Sequence, residues 1–177
     1  MLALLTGCAG PPPFDPPRVV PSVELKNSGF EIDPRPGYAC FVGWNCQMHS
    51  DPTSYRFWID ETLPRKERRS ACIERIRDDW GLMTQDISDP SLRGKRARFS
   101  FDMRIEGVTG NGAGPWVEVN GSGGGYFQKL VTGTRGWERG TIEFTVSEAA
   151  WMLRVGAVLE GPGRLCLDDV RLEILQE

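Results

Sequence analysis

Residues 96–106 read RARFSFDMRIE, and this stretch decides the fold. Ala97, Phe99, Phe101, Met103 and Ile105 alternate with Arg98, Ser100, Asp102, Arg104 and Glu106. A period of two sends apolar and polar side chains to opposite faces of an extended chain, the mark of a half-buried strand. The pattern continues outward from there. GVTGNGAG (107–114) reads as a glycine-rich turn. PWVEVNG then points Val117 and Val119 inward and Trp116, Glu118 and Asn120 outward. GSGGG turns the chain again and YFQKLV returns. TIEFTV places Ile142, Phe144 and Val146 on the core side, and WMLRVGAVLEG groups Leu153, Val155 and Leu159 with Arg154 opposite. RLCLDDVRLEIL closes the series. About eight strands at roughly 8–12-residue spacing predict an all-β fold, an antiparallel β-sandwich or jelly roll. Strands and helices do not alternate, which argues against a parallel sheet.

The chain has 177 residues, 40% hydrophobic and 25% charged, enough for one domain with a real core. Its net charge of −3 points away from nucleic acid. The basic clusters RKERR (65–69) and RGKRAR (93–98) read as solvated loop and strand-edge charge.

Leu5-Thr6-Gly7-Cys8 resembles a bacterial lipobox, in which the cysteine thiol is acylated and the signal is cut just before it. Only seven residues precede Cys8 and none is basic, so this reading expects a start codon upstream. PPPFDPP would follow as a stiff tether. The expected organisation is a shortened signal segment (1–7), lipidated Cys8 with a tether (8–22), and a sandwich (23–177) carrying a cysteine-containing insertion at about 40–72. Two or three acyl chains, palmitate among them, would anchor it stably in a lipid membrane. Ala9 and Gly10, rather than Asp, after Cys8 favour the outer membrane, facing the periplasm or the surface. Outside the cytoplasm thiols can pair. The remaining Cys40, Cys46, Cys72 and Cys166 allow three pairings. Cys40 and Cys46 close a small loop, and Cys72 and Cys166 lie in strand-like segments, so 40–46 with 72–166 is favoured. The spacing lacks the CxxC pairs of a zinc site.

The ordered signals NSGFE (27–31), RRSACIERI, TQDI with RGKRARFSF, GTRGW (133–137), EFTV and GPGRLCLDDVRLE (161–173) resemble the galactose-binding-like jelly rolls, especially carbohydrate-binding modules of the CenC type. They are similar also to sandwich domains appended to some bacterial regulators and peptidases. The likeness covers nearly all of 23–177 and departs from the pattern at 40–72, where NCQMHSDPTSYRFWIDETLPRKERR is longer and more polar than the usual strand and turn. The resemblance implies a structural calcium between Glu31, Asp168 or Asp169 and backbone carbonyls; the alternative is acids bonded to backbone amides or to an arginine such as Arg171. No other cofactor is called for.

Sugar recognition by sandwiches uses aromatic platforms and planar polar groups. The outward row supplies Arg104, Trp116, Glu118, Tyr126, Gln128 and Arg154 as ligand-binding candidates, for a glycan or for an envelope protein. Trp137 and Trp151 read as core or edge-packing residues, and Trp44, Trp58 and Trp80 as loop packing. No catalytic residue is assigned. His49, beside Ser50, Asp51 and Ser54, is the one histidine, and no GxSxG occurs. A glycosidase would need opposed carboxylates, for which Glu118 with Asp102 or Glu106 are the candidates.

Overall fold

The computed structural model describes residues 19–33 and 40–175, so Cys8 and the 1–18 segment lie outside the described residues. Ten strands run in chain order: β1 (Val19–Val23), β2 (Asn45–Met48), β3 (Tyr55–Asp60), β4 (Ser70–Arg75), β5 (Gly81–Ile87), β6 (Arg96–Ser122), β7 (Gly125–Gln128), β8 (Val131–Thr145), β9 (Ala149–Leu159) and β10 (Arg164–Leu175). One 3-10 turn, Pro90–Leu92, is the sole helical element among the described residues. Every strand pairing is antiparallel.

The first half of β6 pairs with β10 and β8, and its second half with β9 and β7. This single strand therefore joins two layers. The front sheet runs β3-β4-β10-β6-β8, with β1 beside the C-terminal half of β10, and the back sheet runs β2-β5-β9-β6-β7. Between them lie the residues that alternation picked out. Phe99, Ile105, Val117, Val155 and Leu159 are all within the buried core, joined there by Leu165 and Leu167 of β10, which alternation had not singled out. At one edge Phe30 plugs the core between Phe41 and Trp44, at ring-centroid distances of 5.6 and 4.8 Å.

Two expectations about the path of the chain need correction. GVTGNGAG is not a hairpin turn. The chain stays extended through it, and Gly107, Gly110 and Gly112 take positive φ where the register with β8 shifts. Glycines here serve bulges that carry the strand from one layer to the other. The 40–72 insertion is not simply a loop either. It supplies the edge strand of each sheet, β2 and β3, and Tyr55, Phe57 and Ile59 alternate inward from β3.

Gly114 marks a close crossing. A Cβ there would run into the carbonyl oxygen of Lys129, where the β7–β8 connection passes over β6. Gly114→Ala is therefore expected to destabilise the protein by about 2 kcal/mol through overpacking against backbone. Gly136→Ala, which meets nothing within 4 Å, serves as control and is expected to stay within about 0.5 kcal/mol. Urea unfolding of the two variants checks the difference.

Candidate functional site

Alternation places Arg56, Trp58 and Asp60 of β3 on the outer face of the front sheet, beside Glu74 and Cys72 of β4, Arg164 and Cys166 of β10, and Arg104 and Glu106 of β6. Arg56, Trp58, Asp60, Arg104, Glu106, Arg164 and Cys166 of this face, with Thr62 and Leu63, line a groove of about 300 Å³. One row is a chain of ion pairs: Arg56 to Glu74 at 2.6 Å, Arg164 to Glu74 at 2.7 Å, and Arg164 to Glu106 at 3.7 Å. In the next row the Cys72–Cys166 disulfide spans directly opposed residues, and the second disulfide is Cys40–Cys46, the two pairings favoured from the sequence.

Trp58 lines this groove, and Trp137 stands against two of its lining residues, Arg104 and Leu63. The Arg56 guanidinium lies 4.7 Å from the Trp58 ring centroid, and that of Arg104 lies 5.6 Å from Trp137. Arg104 Nη2 donates to Asp60 Oδ2 at 2.7 Å and to Cys166 Sγ at 3.4 Å. Its Nε is buried and has no hydrogen-bond partner. Trp137 is fixed by donating from Nε1 to the Leu63 carbonyl at 3.0 Å.

The segment 61–69 straps over the far side of this face. Asp168 Oδ2 accepts from the amides of Arg65 (3.2 Å) and Lys66 (2.9 Å), and Oδ1 from that of Asp169 (2.6 Å). Glu31 Oε1 accepts from the amides of Arg68 and Arg69, both at 2.9 Å. Asp169 Oδ2 takes Arg139 at 2.9 Å and Arg171 at 3.1 Å. The carboxylates considered for calcium thus face N–H donors. A cation would have to displace those donors, so as arranged they do not fit a calcium ion.

Burial pushes Asp168 up to about 6, further than its three amide donors pull it down. A raised folded-state value means the fold prefers the protonated acid. Asp168's contribution to stability is therefore fully present below the unfolded value of 3.8 and lost as pH rises through about 6. The acids held low, Asp51, Asp60, Asp79, Asp89 and Asp169, act in the opposite sense, on the acid side of 3.8. Melting temperature is expected to rise as pH falls from about 7.5 to 5, and Asp168→Asn to flatten that rise; a thermal melt series over this range checks both.

Of the six ligand-binding candidates, only Arg104 lies in the front groove. Trp116, Glu118, Tyr126, Gln128 and Arg154 share the outer face of the back sheet, in two adjoining rows. There Arg154 is engaged by Asp86 through two hydrogen bonds, 2.6 and 3.0 Å, and by Glu118 at 3.3 Å. Trp116 is half-buried against Tyr126, with ring centroids 5.2 Å apart, and Tyr126 is 65% exposed. The two faces separate because β6 changes layers between Arg104 and Trp116. For the same reason Glu118 cannot oppose Asp102 or Glu106 across one scissile bond, which corrects that pairing. Trp151, expected to pack, is 62% exposed at the end of the sandwich, where β9 begins. His49 Nδ1 faces both Ser50 Oγ (3.0 Å) and Asp79 Oδ1 (3.9 Å), whereas a relay needs its two nitrogens to serve different partners.

Trp58, Trp137, Arg56, Asp60 and Arg164 did not emerge from the sequence. Trp58 carried a usable signal in the inward alternation of Tyr55, Phe57 and Ile59, which leaves it outward.

This architecture is an antiparallel β-sandwich of the jelly-roll kind, a fold shared with carbohydrate-binding modules. Among solved structures the chain is similar to TmCBM61 in complex with β-1,4-galactotriose (18% identity, TM-score 0.57, covering 84% of this chain and 95% of that one). It is similar also to the CBM22-1 xylan-binding domain of Paenibacillus barcinonensis Xyn10C (11%, 0.58, 91% and 97%) and to a CBM4 module (15%, 0.57, 85% and 99%). No family model matches the chain. Among curated proteins it is 25% identical over 138 residues to an uncharacterised HTH-type transcriptional regulator, YbfP of Bacillus subtilis. That match covers 72% of this chain but spans only about half the regulator's length, 46%.

Proposed function

We propose that this chain is a non-catalytic glycan-binding module, carried on a lipoprotein of the bacterial envelope, and that the glycan lies in the front groove. One observation carries the reading: a cavity of about 300 Å³ is lined by Trp58, whose indole is met by the Arg56 guanidinium, together with Asp60, Glu106, Arg164 and Arg104, the last of which also lies over the Trp137 ring. Indole faces suit the apolar face of a pyranose, and guanidinium and carboxylate groups take hydroxyls in pairs. The likeness to modules that bind β-1,4-galactotriose and xylan supports the same class of ligand. Anchoring through acylated Cys8 in the outer membrane rests on the LTGC motif and belongs to the proposal.

Affinity electrophoresis through gels containing β-1,4-galactan or xylan, backed by a glycan array, tests it. The unmutated protein is expected to be retarded and Trp58→Ala to migrate freely while remaining folded. Trp116→Ala asks the same of the back face, which presents Trp116, Tyr126, Glu118, Gln128 and Arg154. Retention of no glycan by the unmutated protein would sink the proposal. The exposed Tyr126 and Trp151 favour a second reading, a sandwich that docks an envelope protein, which pull-down from detergent-solubilised envelope examines.

A further inference from the structure

We propose that a second pocket, at the end of the sandwich where β9 begins, binds a single pyranose unit at the terminus or on a branch of a neutral glycan. The end of β5, the 3-10 turn that follows it, Val146 and the start of β9 enclose about 160 Å³ there. None of its lining residues belongs to the front groove, and the space is about half as large. That suits one sugar ring rather than a run of them. Leu92, Val146 and Leu153, all buried, give the pocket an apolar floor.

Three side chains of the lining supply the chemistry of sugar recognition: Trp151, Asp89 and Arg93. Trp151 is 62% exposed, and an open indole covers the apolar face of a pyranose. Asp89 is fixed by the Ser91 amide, which donates to its Oδ1 at 2.9 Å. The hydroxyl and amide of Ser91 hold its carboxyl below the usual range, so it stands ionised and accepts from sugar hydroxyls. Arg93 Nε donates to the Ala150 carbonyl at 2.7 Å, which orients the planar guanidinium. Arg96 and Arg98, a few residues on, share Glu143 at 3.2 and 2.7 Å, whereas no acid pairs with Arg93 among the described residues. Asp89 and Arg93 thus keep their capacity for a ligand, one as acceptor and one as donor, the combination that takes neighbouring hydroxyls. One carboxylate and one guanidinium balance in charge, which favours a neutral sugar over a uronic acid. The class of ligand rests on the glycan reading above; the place does not.

The test follows the indole N–H signals of the full chain by NMR, with Cys8 changed to alanine, as xylotriose or β-1,4-galactotriose is added. Phe variants assign the signals of Trp58 and Trp151. Both are expected to move, with separate midpoints. Trp58→Ala should leave the Trp151 titration in place. Trp151→Ala should remove that second titration while the protein stays folded, because the exposed ring adds little to the core. Asp89→Asn, which still accepts from Ser91, and Arg93→Lys, which keeps the charge without the fork, should each weaken the Trp151 titration about tenfold. Movement of the Trp58 signal alone would overturn the second pocket and leave the groove standing. Movement of the Trp151 signal alone would uphold the pocket and remove the groove. Silence of both would remove both. A Trp151 response to trigalacturonate as strong as that to xylotriose would overturn the preference for a neutral sugar.

Discussion

Arg104→Met is expected to abolish retention on galactan and xylan gels and to destabilise the protein by about 3 kcal/mol. The substitution keeps the aliphatic stem and removes the guanidinium. Retention fails because Arg104 lines the groove and its guanidinium contacts Trp137, Asp60 and Cys166 at once. Stability falls because Asp60, buried on the front face, loses its cationic partner. Breaking a buried pair by deleting one member costs about 3–5 kcal/mol, and the lower end applies because Thr62 still donates twice to Asp60. Gel retardation and urea unfolding read the two effects separately. A variant that binds normally would move the site off this groove, whatever its stability.

Phe30→Ala is expected to cost about 3–5 kcal/mol, the range for a large buried aromatic truncated in a packed core. Phe30 is fully buried and holds Phe41 and Trp44 in place, and Trp44 Nε1 in turn donates to the Lys26 carbonyl at 3.1 Å. Its φ of +58°, unusual for a bulky residue, turns the side chain into the core while the next residue, Glu31, reaches out to cap the 68–69 amides. Loss of the ring should loosen both the core edge and the strap. Thermal and urea unfolding measure the first. Faster amide exchange at Arg68 and Arg69 reports the second.

What the sequence disclosed, and what it withheld, follows from the range of the signals. Ala97 to Ile105, Val117, Val119, Phe144 and Val155 announced themselves because alternation is local and their faces are buried. GVTGNGAG misled because a positive-φ glycine serves a bulge as well as a turn, and only the partner strand tells which. β2 was hidden because its four residues are too few to show a period, and β3 because Trp58 puts a large aromatic on the outer face of an otherwise alternating strand. The groove was the least legible part. Its lining comes from β3, β6 and β10 and the segment that follows β3, and their meeting depends on register, which no single segment encodes. Arg104 was found by alternation, but its neighbours Trp58, Trp137 and Asp60 become neighbours only after the sheet closes. The NSGFE and LDDV signals singled out Glu31 and Asp168 or Asp169 for a calcium ion, while the partners that Glu31 and Asp168 meet are amides of the strap.

The path of β6 has a consequence for how this protein comes apart. Because one unbroken segment is an inner member of both layers, neither layer can open while the other persists without tearing its own central ladder. Slowly exchanging amides along 97–105 and 116–120 should therefore share one opening free energy. A proteolytic nick at 107–112 would unfasten the whole domain rather than release half of it.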